Sequence, residues 1–263
     1  MEIYKAIILG TIQGVTEFFP ISSTAHLILF PWIFGWNGQI NTLTFDVALH
    51  SGTLASLLLC FYKEWIEIFL KKRKLFFLIL IATVPAAISG LILNNFIENN
   101  LRNPIIIVFT LIFFGFLMLI AERYYNRTTI AKKDLSQLSF SDSIFVGVAQ
   151  AFALIPGVSR SGITITAGIF RNLPRDLAAR FSFLMSTPVI FGATILEGRK
   201  IMLHSDKYNM DLFVAGFLSA FLSGYLAIRF LMYFLKRYPL NIFVYYRFML
   251  AVIILAVYLT KGI

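Results

Sequence analysis

Two short stretches of this chain set reactive side chains inside otherwise apolar sequence. "IQGVTEFFPISSTAH" carries Gln13, Glu17, Ser22, Ser23, Thr24 and His26, and "PGVSRSGIT" carries Ser159, Arg160, Ser161 and Thr164. Gln13 and Glu17 are four residues apart, so on a helix they share a face, and Glu17 points toward the hydroxyls that follow it. Arginine at bilayer depth is expensive, and an ionisable group there reads as functional by default. A carboxylate, an imidazole, several hydroxyls and a guanidinium are the parts needed to hold and cleave a phosphoric anhydride. The guanidinium neutralises phosphate oxygens in a two-pronged contact, and the free N–H groups of helices restarting after each break add to its field. Two schemes stay open: Ser23 attacks phosphorus after losing its proton to His26 or Glu17, or one of these two activates water. Plainer roles exist for the same residues. Arg160 would pair with helix carbonyls, Glu17 would be its counter-ion, and at least one of Ser22, Ser23 and Thr24 is expected only to cap the trailing helix.

Other polar residues carry weaker signals. His50 and Asp46 are four apart beside Ser51 and Thr53, so His50 is a candidate for the outer wall of the same site, and Asp46 reads as an interfacial or capping residue. Arg180, Arg229 and Arg247 fall near predicted helix ends, where snorkelling accounts for them. His204 lies in a loop with no polar cluster and is assigned nothing.

The elements that must position these groups follow from composition. Of 263 residues 59% are hydrophobic, 28 are Phe and only 14% are charged, which excludes an ordinary soluble domain. The net charge of +10 raises the question of nucleic acid, but the basic residues sit in short loops between apolar runs, the pattern of membrane topology. No nucleic-acid partner is expected. The one cysteine, Cys60, allows no intrachain disulfide. The start "MEIYKAIILG" has an acid and no basic n-region, so no cleavable signal peptide is expected.

Six runs, 45–62, 75–97, 104–121, 178–196, 212–235 and 242–260, are long enough to cross roughly 30 Å of hydrocarbon as helices. Two more apolar regions, 3–36 and 141–170, are interrupted by "FFPISSTAH" and "LIPGVSRSGIT", which predicts re-entrant helical hairpins. Laid on one another at a constant offset, Gly10, Gln13, Ser22, Ser23 and Thr24 fall on Gly147, Gln150, Ser159, Arg160 and Ser161. Each half then holds a broken hairpin and three spans. An odd number of crossings requires the second half to be inserted upside down. The predicted fold is an all-α integral membrane protein: one polytopic domain over 1–263, an inverted repeat of about 1–121 and 141–263, with six transmembrane helices and two re-entrant hairpins. "KEWIEIFLKKRK", "ERYYNRTTIAKK", "RNLPR" and "KRYP" then share one side, and Lys5, Arg102, Arg199, Lys200, Lys207 and Lys261 the other. The positive-inside rule puts the first set in the cytoplasm, so the hairpin carrying Glu17 enters from outside.

Over essentially its whole length the chain resembles the undecaprenyl-pyrophosphate phosphatases of the bacitracin-resistance type. "GTIQGVTEFFPISSTAHLIL" and "PGVSRSGIT" carry the likeness, with "FDVALHSGT", "TVPAAISGL" and "FSFLMSTPVIFGA" between and after them in the family's order. The resemblance implies an enzyme of the bacterial cytoplasmic membrane that hydrolyses undecaprenyl pyrophosphate, a polyprenyl lipid, to undecaprenyl phosphate. That step recycles the carrier for peptidoglycan and related envelope polymers and confers bacitracin resistance. The family's acidic motif lands on Gln13 and Glu17, its serine and histidine on Ser23 and His26, and its second motif on Ser159, Arg160 and Thr164. Gln13 leaves a single carboxylate. The resemblance also implies a divalent cation, Mg²⁺ or Ca²⁺, for which Glu17 and the substrate phosphates are the candidate ligands. Self-association into a homo-oligomer is neither required nor excluded by these residues.

Of three competing classes, the first fails on inspection and two remain. The other membrane lipid-phosphatase superfamily needs a histidine soon after its arginine, whereas after Arg160 none occurs until His204. A lipid-phosphate flippase or a small-anion secondary transporter also uses inverted repeats and broken helices around a midplane charge. A non-catalytic scaffold would not need Glu17 and Arg160 to face each other. The lipid enzyme further calls for a cavity with an aqueous mouth on the outer side and a lateral gap for the prenyl tail.

Overall fold

The computed structural model describes residues 3–203 and 209–261. His204 and Lys207 lie outside the described residues, as do the side chains of Lys200 and Lys261. Among the described residues the chain is all helical: α1 (Ile3–Phe18), α2 (Ser23–Phe34), α3 (Leu43–Leu70), α4 (Arg73–Asn100), α5 (Pro104–Arg127), α6 (Phe140–Phe152), α7 (Arg160–Phe170), α8 (Arg175–Leu203), α9 (Met210–Leu235) and α10 (Asn241–Lys261). Six of these, α3, α4, α5, α8, α9 and α10, are long and apolar enough to cross a membrane. The four others are short. At 1.5 Å per residue α1 and α2 reach roughly 24 and 18 Å, and α6 and α7 roughly 20 and 17 Å, so none spans 30 Å of hydrocarbon by itself.

Local sequence sets the helix ends. Asn103 caps α5 through a 2.8 Å bond from the Ile105 N–H, with Pro104 at the first helical position where its missing N–H costs nothing. Thr42 caps α3 at 3.2 Å from the Phe45 N–H. On the basic-rich side, Asp142 in the first turn of α6 accepts from Lys133 at 2.9 Å, Arg171 at 2.5 Å and the Ser139 N–H at 3.0 Å. Burial pushes its carboxyl up, but these three donors outweigh burial and hold it below the usual carboxylate range. Buried Glu122 is clamped on the same side by Arg175, at 2.9 and 2.5 Å, and by the Leu240 N–H at 2.9 Å.

The halves interlock reciprocally. α1 lies along α9, and α6 along α4, so each half's broken hairpin packs on a spanning helix of the other; α3 likewise meets α9 as α8 meets α4, and α5 pairs with α10. Small residues permit this closeness, as membrane helices without a hydrophobic drive require. A Cβ at Gly10 would lie 2.4 Å from the Gly216 carbonyl, and one at Gly147, which the sequence offset aligns with Gly10, 2.6 Å from the Ala82 carbonyl. The exterior is apolar, with Phe77, Leu91, Phe109 and Leu226 exposed, while Gln13, Glu17, Ser22, His26 and Arg247 are buried. That inversion is what a lipid solvent selects.

Candidate active site

Both hairpins break in the same way. Ser22 and Ser159 take left-handed φ values of 74° and 72°, and each caps the helix that follows, accepting from the Ala25 N–H at 3.4 Å and the Gly162 N–H at 3.1 Å. A non-glycine residue there costs roughly 1–2 kcal/mol, so surrounding structure must hold it. Arg247 of α10 is that structure. Fully buried, it donates to the carbonyls of Pro20 at 3.4 Å, Gly157 at 2.9 Å and Val158 at 3.0 Å, and to Thr110 at 3.2 Å and Leu111 at 3.1 Å on α5. One guanidinium thus fastens both breaks to α5. The expectation that Arg247 snorkels is wrong: α10 packs against α5, which turns this position inward, where the Pro20, Gly157 and Val158 carbonyls lack helical partners. The Ser161 hydroxyl adds a direct tie between the breaks, donating to the Phe19 carbonyl at 3.0 Å.

Where the breaks meet, four side chains converge on Glu17. Arg160 donates to Oε1, while Oε2 accepts from Ser23 Oγ at 2.6 Å and Gln13 Nε2 at 3.0 Å and lies 3.5 Å from His50 Nε2. The carboxylate is 4% exposed and Arg160 17%, so this pair sits in a low dielectric with a remaining opening to solvent or ligand. The opening is a cavity of about 290 Å³ walled by Glu17, Ser22, Ser23, Thr24, His50, Gln150, Ser159 and Arg160, with Val47, Leu154 and Ile190 as its apolar side. The N-termini of α2 and α7 both border it, an arrangement that favours anions.

The other expected site residues stand behind this wall. Gln13 supports Glu17 from within α1. Thr164 donates to the Arg160 carbonyl at 2.7 Å and meets Ser182 Oγ at 2.6 Å, fixing the first turn of α7. His26 does not reach Glu17 or Ser23: Nδ1 is 2.7 Å from the Ser22 carbonyl and Nε2 2.7 Å from the Tyr246 hydroxyl. A carbonyl only accepts, so Nδ1 carries the proton. His26 and Thr164, which the two motifs place among the site residues, therefore do not line the cavity. The helix restart turns one face of α2 and of α7 inward, toward α10 and α8. Arg247, Tyr246 and Ser182 carry no signal near either motif and were not legible as parts of the site.

Beyond His50 the cavity continues into an apolar groove of about 180 Å³ along Leu27, Val47, Ile97 and Leu154, ending at Asp46 and Arg102, which approach to 3.6 Å. Asp46 thus sits at the rim, as a residue in the first turn of α3 should.

Fold and site together define a multi-pass helical membrane protein with a buried, charged polar centre assembled from both halves of the chain. The chain belongs to the family of the bacitracin resistance protein BacA, whose profile matches residues 6–253. It is 54% identical to an undecaprenyl-diphosphatase of Thermodesulfovibrio yellowstonii over 99% of both chains. Identity is 42% to that of Caldicellulosiruptor bescii over both full lengths and 43% to that of Moorella thermoacetica over 98% of each.

Proposed function

We propose that the chain hydrolyses undecaprenyl pyrophosphate to undecaprenyl phosphate and inorganic phosphate. One observation carries the reading: the Glu17 carboxylate lies between the Ser23 hydroxyl and the Arg160 guanidinium on the wall of one cavity. Ser23 Oγ attacks the terminal phosphorus and its proton passes to Glu17, which already accepts its hydrogen bond. The bridging P–O bond breaks and its electron pair leaves with the lipid monophosphate. Glu17 hands that proton to the departing monophosphate and is ionised again; water then attacks the phosphoserine, Glu17 takes a proton from it, and the same proton returns to Oγ as the P–Oγ bond breaks and inorganic phosphate departs. Arg160, joined by the N-termini of α2 and α7, offsets the charge that grows on the equatorial oxygens. Thr24, Ser159 and His50 border the substrate, and Ser22 and Ser161 hold the two breaks.

His26 is a positioning residue in this scheme, because both ring nitrogens are already engaged. Its Nδ1–H holds the Ser22 carbonyl and so the left-handed turn that presents Ser23. A divalent cation, Mg²⁺ or Ca²⁺, fits the donor set. Gln13 Oε1 is buried without a hydrogen-bond partner beside Glu17, and these two oxygens together with substrate phosphates are hard ligands of the right kind. When bound, such an ion would screen the pyrophosphate charge.

The two halves form an inverted repeat in the bacterial cytoplasmic membrane, with the Glu17 hairpin entering from the outer side. The Asp46–Arg102 pair marks the outward mouth of the site, and the apolar walls of the groove leading to it from His50 suit the first part of the prenyl tail, the rest of which stays in lipid. The product re-enters the cycle that supplies carrier to peptidoglycan and related polymers, which accounts for bacitracin resistance.

Purified protein in detergent, with no membrane gradient, should release inorganic phosphate from the lipid pyrophosphate. Binding without release would overturn the hydrolase reading and leave the flippase or transporter to be tested by lipid or anion movement in vesicles. After Cys60 is replaced, Thr24→Cys should react in intact cells with an impermeant thiol reagent added outside and be protected by a pyrophosphate analogue. Labelling from the cytoplasmic side alone would reverse the orientation.

A further inference from the structure

A second cleft, also of about 290 Å³, lies apart from the Glu17 site, between α3, α8 and α9 near the basic-rich end of the bundle. Cys60 and Phe61 border it from α3, Arg180 from α8, and Arg229, Tyr233 and Lys236 from α9. The three α9 residues are spaced by four and three, so they form one stripe along that helix. α3 loses helical geometry at Phe61, with φ −113° and ψ 17°, at the level where the cleft opens.

The charges here do not balance. Arg180 has Glu64 only at 3.5 Å, and its Nε is buried without a hydrogen-bond partner. Among the described residues no carboxylate pairs with Arg229 or Lys236, and Arg237 adds another cation at the rim, donating to the Tyr233 hydroxyl at 2.7 Å. Arg229 stands six residues before the end of α9, about 9 Å deeper along the helix. A cation at that depth needs either water or an anion. Next to it on α9, Leu226 and Phe230 are exposed to the lipid side.

We propose that this cleft binds the phosphate of an anionic glycerophospholipid from the leaflet on the basic-rich side. Arg229 and Lys236 flank the phosphate, the unpaired Arg180 Nε faces it from α8, and the acyl chains lie along Leu226 and Phe230. A free anion would make the first contacts and leave those apolar side chains unused, which is why a lipid is the occupant.

Native mass spectrometry of the purified protein in mixed micelles tests this, using phosphatidylglycerol and phosphatidylcholine of identical acyl chains. Wild type should retain phosphatidylglycerol about tenfold better, and Arg229→Gln with Lys236→Gln should abolish the preference. Both side chains are exposed, so the variant should fold. Cys60, the only cysteine, serves as a reporter: phosphatidylglycerol should slow its alkylation severalfold, and inorganic phosphate at equal concentration should not. Phosphate release by the double variant in detergent should stay within about twofold of wild type. Equal retention of the two lipids, retention unchanged in the variant, or equal protection by inorganic phosphate would each overturn the proposal. A loss of phosphate release in step with lipid retention would also overturn it, by making the cleft part of the substrate site.

Discussion

Arg160 of the second half donates to the Glu17 carboxylate of the first, so the charged centre of this protein exists only when both halves are folded together. Each ion is the other's solvent in a dry wall. Arg160→Lys keeps the charge but not the planar fork. Phosphate release should fall by about 10²–10³-fold, the loss typical of one well-placed transition-state donor. Assays on equal amounts of correctly inserted protein check this, and near wild-type release would refute the anion-clamp role. Glu17→Gln should cost at least as much, and the double variant Glu17→Gln with Arg160→Gln should lose less than the product of the single losses, because the pair is directly coupled.

His26 separates a proton carrier from a positioning group. If its work is the Nδ1–H bond to the Ser22 carbonyl, His26→Asn should retain measurable phosphate release while His26→Ala loses about tenfold or more. The pH profile of the Asn variant should keep the shape of the wild-type profile. Disappearance of a limb near neutral pH in that variant would return His26 to acid–base duty.

Arg247 should matter for folding before it matters for rate. Replacing it by Met would leave the buried carbonyls of Pro20, Gly157 and Val158 short of a donor, each costing about 1–3 kcal/mol, and would remove the tie to the Thr110 and Leu111 carbonyls of α5. Thermal unfolding in detergent should show a large drop or no folded protein. Arg247→Lys should be intermediate, since an ammonium reaches only some of the five. A Met variant with an unchanged Tm would mean that the breaks are held by something else.

Asp142 gives a pH signature outside the spanning helices. Its carboxyl is held below its ordinary value in the folded protein, so its contribution to stability is complete above the unfolded-state pKa of about 3.9 and is lost as pH falls toward the lower folded value. Between pH 7 and pH 5 its contribution should be flat. From about pH 4 downward, wild-type Tm should fall toward that of Asp142→Asn, and the difference between them should shrink. A difference that stays constant to the lowest pH the detergent tolerates would remove the ion-pair explanation.

How much of this was legible in the sequence depended on how local the cause was. The six long apolar runs became helices because a backbone in lipid must satisfy its own hydrogen bonds, a constraint written into each segment separately. The breaks at Ser22 and Ser159 were legible for the same reason: a Pro followed by hydroxyls cannot continue a helix and readily caps the next one. The pairing of Glu17 with Arg160 was readable as a requirement, because neither charge is tolerable alone at that depth.

Direction and distance were decided elsewhere. Whether a side chain on α2, α7 or α10 faces the cavity, a neighbouring helix or lipid depends on the rotation of that helix against partners far away in sequence, and no local residue encodes it. That rotation sets His26 against Tyr246 rather than Ser23, and Thr164 against Ser182 rather than the cavity. It also buries Arg247, which by position alone looked like an interfacial arginine. The sequence by itself determined the helices, their interruptions and the chemical types that had to meet. Only tertiary packing, through the close approach of α1 to α9 and of α6 to α4, decided which of those groups touch and which merely hold the others in place.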